Sequence, residues 1–324
     1  MNVLDLPGAD PYRNLAAEEY FLKEKSGDWF ILWQNAPCIV VGRNQNTHAE
    51  INREYVEKEN LAVVRRLTGG GAVYHDAGNL NYTVIRENAA DLFGNYAAFC
   101  DPLIAALREM GVPAKLSGRN DLLAEGKKFC GNAQTMWRGR ILHHGCILFN
   151  ADLSRLSGAL RVHPLKIQSK GIKSVRSRVV NLSAYLPGIA AKDFRRELYG
   201  RVLQSPENTE YILTEEDRAA IEALRLEKYS TYEWNFGYNK PFGFQKDTLF
   251  PGGLVTVRMN IRENRIASFE IRGDFFGVRQ AEELERLLEG APYEPDAIRE
   301  RLSAVSVSEY IAGVDTETFI RSVF

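Results

Sequence analysis

The hydrophobic pattern changes its period several times along the chain. Residues 29–35, WFILWQN, and 37–43, PCIVVGR, are almost uninterrupted apolar runs, which predicts two buried strands joined by a short turn at Ala36 and Pro37. Residues 61–67, LAVVRRL, and 72–85, AVYHDAGNLNYTVI, predict strands on either side of three glycines. Apolar residues at helical spacing over 14–25 predict a helix, and 50–60 is a polar, helix-favouring stretch. Residues 96–111, YAAFCDPLIAALREMG, predict a helix that ends at Gly111. Strand-like stretches follow over about 115–150, then a charged, helix-rich section over roughly 190–228.

A second unit begins after KPFGFQKDTLFPGG (240–253), which is rich in Gly, Pro and Phe and reads as a linker. LVTVRMNI and IASFEIRG alternate apolar and polar residues around RENR and predict an antiparallel hairpin. An amphipathic helix over 278–290, a helix from Pro295 and two short capped helices complete the chain. The expected division is a catalytic unit over 1–245 and an accessory unit over 246–324. The expected fold class is α/β (α+β): a mixed, largely antiparallel sheet with flanking helices, plus a small C-terminal α+β domain.

Composition narrows the partners. The 324 residues are 45% hydrophobic and 26% charged, so the chain can bury a sizeable core. A formal net charge of −1 supplies no global field toward nucleic acid or a membrane surface. No apolar run is long enough for a membrane span, and the start MNVLDLPGAD lacks the features of a signal peptide. Cys38, Cys100, Cys130 and Cys146 have neither zinc-site nor disulfide-framework spacing, which is the expectation for reduced thiols in a cytoplasmic protein.

The chemistry concentrates in two stretches. In RRLTGGGAVYH (65–75), glycine lets a ligand lie against the main chain, and exposed N–H groups form an anion-binding concavity. Arg65 and Arg66 would point to opposite faces of a strand, leaving one guanidinium for a phosphate or carboxylate. The plain alternative is a flexible hairpin with solvated arginines. The loop matches neither GxxxxGK[ST] nor GxGxxG, so any nucleotide is held differently. In SGRNDLLAEGKKFCGNAQ (117–134), Asp121 offers an oxygen for Mg²⁺. Of Lys127 and Lys128, one can enter a pocket while the other stays in water; alternatively, both belong to a solvated turn.

Other residues carry less. His143 and His144 are neighbours on a strand and face opposite sides, so they cannot chelate one ion together. His75 either orients a carboxylate or is a satisfied core histidine. Residues 166–178 hold five basic residues and no acidic one, which suits a solvated loop, a cationic lid or a docking face for an acidic partner.

RRLTGGGAVYHDAGNLN, GRNDLLAEGKKFCGNAQ, HHGCILFNADLSRL, KGIKSVRSRVVNL and YEWNFG occur here in the order and spacing of the lipoate-protein ligase A family. The resemblance covers most of residues 25–240, and the C-terminal unit resembles the family's accessory domain. It implies an enzyme that uses ATP and Mg²⁺ to activate lipoate as lipoyl-adenylate. The lipoyl group then passes to a lysine of a lipoyl domain, on acyltransferase subunits of 2-oxo-acid dehydrogenases or on the glycine-cleavage H protein.

By motif, the resemblance implies that Arg66 and the backbone of Gly71, Ala72, Val73 and Tyr74 hold ATP. Lys128 matches the lysine that contacts both lipoate and phosphate. Asn120 and Asp121 match the family's GRND, with Asp121 the Mg²⁺ candidate. Trp33, Gly42, Arg43, Gly70 and His75 fall in motifs that line the lipoyl tunnel or its mouth. Cys130 stands where some relatives carry serine, which raises acyl-enzyme chemistry. Rival readings are an octanoyl or lipoyl transferase of the same fold acting without ATP, a lipoyl-adenylate transferase, a biotin ligase, and a non-enzymatic binding protein. The biotin-ligase reading lacks its GRGRxG stretch. The enzyme is expected to be a monomer that binds neither nucleic acid nor membrane.

Overall fold

The structure, a computed structural model, describes residues 1–117, 120–161, 179–237 and 242–324. The basic stretch 166–178, two residues of the GRND motif and the first part of the expected linker lie outside the described residues.

Among the described residues the strands are, in chain order, β1 Asn2–Asp5, β2 Trp29–Trp33, β3 Cys38–Val41, β4 Ala62–Arg65, β5 Val73–His75, β6 Asn79–Arg86 and β7 Ala114–Ser117. They continue with β8 Asp121–Ala124, β9 Lys127–Trp137, β10 Arg140–Leu148, β11 Thr209–Glu210, β12 Phe244–Phe250, β13 Gly253–Arg262 and β14 Arg265–Gly273. They form an eight-stranded sheet in the order β11-β1-β2-β6-β10-β9-β8-β7 and two three-stranded sheets, β4-β3-β5 and β12-β13-β14. In the large sheet β1 runs parallel to β2 and β11, and every other pairing is antiparallel. The fold is the expected mixed α/β architecture with a small C-terminal sheet domain.

The large sheet is buried on both faces. On β2, Phe30 and Leu32 enter a core with helix α2 (Tyr96–Glu109), while Trp29, Ile31 and Trp33 enter another with helix α1 (Pro11–Lys23). On β6, Leu80, Tyr82 and Val84 join the α2 core, leaving Asn79, Asn81 and Thr83 as a polar row on the opposite face. Helix α1 starts with Pro11 behind the cap Asp10, whose carboxylate accepts from the Tyr12 amide at 2.9 Å.

The two strands expected on either side of Ala36 and Pro37 are present and belong to different sheets, β2 to the large one and β3 to a small one. One strand reading needs correction: 72–85 is two strands. Asp76 breaks it with a turn in which its carboxylate accepts from Gly78 N at 2.7 Å, sending β5 and β6 to different sheets.

The C-terminal unit has its own core of three strands and the helices α3 Ala281–Leu288, α4 Pro295–Leu302 and α5 Thr316–Val323. The expected hairpin is present, with Glu263 and Asn264 both at positive φ in its turn. It has a third strand, however. Residues 244–250, read from sequence as linker, pair along their length with β13. Helix α3 begins later than expected, at Ala281, because the amides of Val278 and Arg279 donate to the Glu309 carbonyl instead.

Candidate active site

A cleft of about 610 Å³ opens between α1, the β3–β5 sheet and the middle of the large sheet. It brings together Trp33, Arg66, Gly70, Gly71, Val73, His75, Asn120 and Lys128, which lie up to 95 positions apart in sequence. Asp121 joins them through Lys128, whose Nζ is 2.6 Å from its carboxylate. The side chains of Ala72 and Tyr74 go elsewhere, into a cluster with Ile39 and Val41, so only their main chain is near the cleft. Arg43 also stands outside it. Its guanidinium pairs with Glu282 of the C-terminal unit at 3.3 Å and lies over the Trp234 ring.

Both arginines of the motif are buried, which overturns the solvated reading. Arg65 turns away from the cleft and donates to the carbonyls of Gly42, Arg43, Gln45, Trp234 and Asn235 and to the Thr47 hydroxyl, at 2.7–3.1 Å. It ties the chain after β3 to the short helix Tyr232–Phe236. Arg66 lines the cleft and donates to the carbonyls of Gly69 and Gly71, both at 2.8 Å, and to Thr68 Oγ1 at 2.9 Å. It shapes the glycine loop from within. Burial lowers its pKa to about 10.

Beneath Arg66 runs a buried polar chain. The Thr68 hydroxyl meets His144 Nε2 at 2.8 Å, and His144 Nδ1 meets the Glu18 carboxylate at 2.9 Å. Thr83 donates to Glu18 at 2.5 Å and accepts from the Trp33 indole at 2.8 Å. Sequence reading passed over Glu18, because a glutamate in a helix is ordinarily solvated. Its signal was weak: a polar residue between apolar ones on the inner face of α1.

Lys128 owes its place to Gly131. The β8–β9 register sets Gly131 opposite Asp121, and a Cβ there would lie 2.9 Å from Lys128 Nζ. Asn132 positions the neighbouring turn. Its amide donates to the Asn120 carbonyl at 3.0 Å, and Asn120 donates back to the Asn132 carbonyl at 2.8 Å. The Tyr82 hydroxyl donates to Asn132 Oδ1 at 2.6 Å on the α2 face of the sheet, across Gly145, which lies between them in one cross-strand row. His143 faces that side too, stacked on Phe99 at 5.2 Å, so the two histidines do diverge.

The cysteines are poor nucleophile candidates in their surroundings. Cys130 is 1% exposed, and burial pushes its thiol pKa well up. Cys146 lines the cleft, but burial raises it to about 12 despite a hydrogen bond from Asn79. His75 is held neutral: burial first, then the charges of Arg66 and His144, lower its pKa to about 3.

The triple glycine has a reason that sequence reading missed. Gly70 has φ +90, its N–H donates to the Phe275 carbonyl at 3.3 Å, and the Phe276 ring reaches the cleft beside it. A Cβ on Gly69 would lie 2.4 Å from the Phe275 carbonyl oxygen. Two of the three glycines thus admit the C-terminal unit's main chain and the Phe276 ring. Gly71 has no such crowding, its nearest neighbour being the Asp274 side chain at 3.7 Å.

Residues 10–201 match the model of the lipoyl protein ligase A/B catalytic domain, and residues 239–322 match that of the bacterial lipoate protein ligase C-terminus. The chain is 40% identical over 321 residues to the lipoate-protein ligase LplJ of Bacillus subtilis, covering 97% of each. Among solved structures, P. falciparum LipL1 in complex with lipoate superposes with a TM-score of 0.82 over 99% of this chain and 97% of that one; at 22% identity this speaks for the fold. A lipoate-protein ligase A bound with ATP is 27% identical with a TM-score of 0.63, over 74% of this chain and 99% of its own length. With both family models matched in order and near-full-length identity to a curated ligase, the chain belongs to the lipoate-protein ligase family and is an enzyme of that type.

Proposed function

We propose that this cleft activates lipoate with ATP and passes the lipoyl group to a lysine of a lipoyl domain. The observation that carries the reading is Lys128: a cation at the meeting point of an apolar cleft, the glycine loop and the Asn120 turn. In the first step a lipoate carboxylate oxygen attacks the α-phosphorus of ATP, the P–O bond to pyrophosphate breaks, and lipoyl-adenylate forms. Two anions approach one another, and the Lys128 ammonium shields both. In the second step the acceptor's lysine amine attacks the acyl carbon, AMP leaves with the bonding electrons, and the amine loses a proton.

Arg66 holds the loop against which the adenylate lies, with Gly71, Ala72, Val73 and Tyr74 contributing main chain. Trp33, Val40 and Leu15 wall the acyl chain and exclude water, which protects the anhydride from hydrolysis. The residues present fit Mg²⁺ carried in by the nucleotide. Asp121 offers one partly exposed carboxylate, and among the described residues no group of three or more acidic, His or Cys side chains could enclose an ion. Bound there, Mg²⁺ would neutralise phosphate charge.

The catalytic unit and the accessory unit then have separate tasks. Because Phe275 and Phe276 press on the glycine loop, the accessory unit shifts as nucleotide occupies it. Acceptors are lipoyl domains of 2-oxo-acid dehydrogenase acyltransferase subunits and the glycine-cleavage H protein, and the enzyme works as a cytoplasmic monomer. The deciding test is lipoate-dependent exchange of labelled pyrophosphate into ATP without acceptor. Exchange is expected. Its absence, in a folded protein that still transfers from an octanoyl carrier, would give the reaction to the ATP-free transferase instead.

A further inference from the structure

The apolar part of the cleft holds two donors that no protein atom answers. His75 is 3% exposed and Asn81 1%, both line the cleft, and His75 Nε2 and Asn81 Nδ2 are buried without a hydrogen-bond partner. Both adjoin Trp33. Its ring centroid is 6.3 Å from that of His75, and the β2–β6 register sets it directly opposite Asn81. The Trp33 indole N–H is already spent on Thr83. A buried donor left unanswered is costly, so a pair of them beside Leu15, Val40 and Val73 awaits acceptors on a ligand.

The direction of the His75 donor is dictated by a relay that starts at the main chain. Asn14 Nδ2 donates to the Gln34 carbonyl at 2.8 Å and to Asn35 Oδ1 at 2.9 Å. A carbonyl only accepts, so the Asn14 amide has one orientation, and Asn35 must turn its oxygen toward it. Asn35 Nδ2 then faces His75 Nδ1 at 3.2 Å. An amide nitrogen only donates, so Nδ1 accepts and the ring proton sits on Nε2. The ring is neutral, as burial beside Arg66 and His144 requires, and carries this one proton.

We infer that Asn14 and Asn35 are positioning residues that set the His75 tautomer, and that His75 Nε2–H and Asn81 Nδ2–H together read a ring bearing lone-pair acceptors. For an acyl substrate this selects the dithiolane of lipoate over the saturated end of octanoate. The inference rests on the proposed lipoate reading. The two dithiolane sulfurs accept weakly but answer both donors, whereas a methyl terminus leaves both dry. A site built around donors discriminates against the analogue that lacks the acceptor.

The test is calorimetric binding of lipoate and of octanoate to the full chain, alongside long-range ¹H–¹⁵N spectra of its histidines. Wild-type protein is expected to bind lipoate about tenfold or more tighter than octanoate, with His75 as the Nε2–H tautomer. Asn81→Leu and His75→Phe should each bring that ratio to about one, chiefly by weakening lipoate binding. Asn35→Leu should give a mixture of His75 tautomers and a lower ratio. A wild-type ratio near one, a wild-type Nδ1–H tautomer, or a ratio unchanged in folded Asn81→Leu protein would overturn the inference and leave lipoate binding intact. If Asn35→Leu does not fold, Asn81→Leu and the wild-type tautomer decide. Binding of neither acid would remove the lipoate reading itself, and this inference with it.

Discussion

Lys128 Nζ stands 2.6 Å from the Asp121 carboxylate, over the glycine at position 131 that leaves room for both. Each side chain is 38% exposed, so the pair contributes little to stability, on the order of 0–1 kcal/mol. Lys128→Ala is therefore expected to melt within about 2–4 °C of the parent while losing lipoate-dependent pyrophosphate exchange. Circular dichroism melting and the exchange assay check this together. Retained exchange, or a protein that no longer folds, would remove Lys128 from the role given to it.

The adjacent arginines should separate stability from activity. Arg65 is fully buried and donates to six oxygens of neighbouring segments, so Arg65→Lys should lose about 3 kcal/mol or more. Arg66 serves the glycine loop, so Arg66→Ala should cost about 1–3 kcal/mol and reduce adenylate formation far more than the stability loss explains. Urea titration of both variants beside their exchange rates is the measurement. Equal loss of stability in the two would contradict this division.

No cysteine is expected to act as a nucleophile. Burial raises the thiols of Cys100 to about 11 and Cys146 to about 12, and carries Cys130 well above its ordinary range. Cys130→Ser and Cys146→Ser should each keep pyrophosphate exchange within about threefold, since an adenylate-forming route needs no side-chain nucleophile. A trapped acyl-thioester on either residue, seen by mass spectrometry, would point to the ATP-free transferase.

Acid should destabilise the fold above the carboxylate range. His75 and His143 are both lowered from 6.5 to about 3, in each case first by burial. The unfolded chain takes up these protons as pH falls below 6.5, and the folded one does not until about 3. Stability is thus full above pH 6.5 and falls through that window by about 1.4 kcal/mol per pH unit for each histidine. His143→Phe, on the face away from the cleft, should lower the parent and flatten the slope between pH 6 and 4 by about one proton. Urea unfolding at three pH values reads it; an unchanged slope would mean that His143 is protonated in the fold.

The sequence by itself determined which way neighbouring side chains face. Strand alternation separates Arg65 from Arg66 and His143 from His144, and both separations hold in three dimensions. It also marked the glycine loop, the Asn120–Lys128 stretch and the C-terminal hairpin, because turns and alternation are short-range properties. Tertiary structure alone decided which strands pair. Runs such as WFILW and CIVV are buried on both faces, so their pattern names no partner, and β2 and β3 part into different sheets. The same holds for the parts of the site that depend on distant chain: Glu18 beneath His144, the Asn14–Asn35–His75 relay, and Phe275 against Gly69. A buried polar group is recognised by the partner that satisfies it, and those partners come from segments that only folding brings within hydrogen-bond reach.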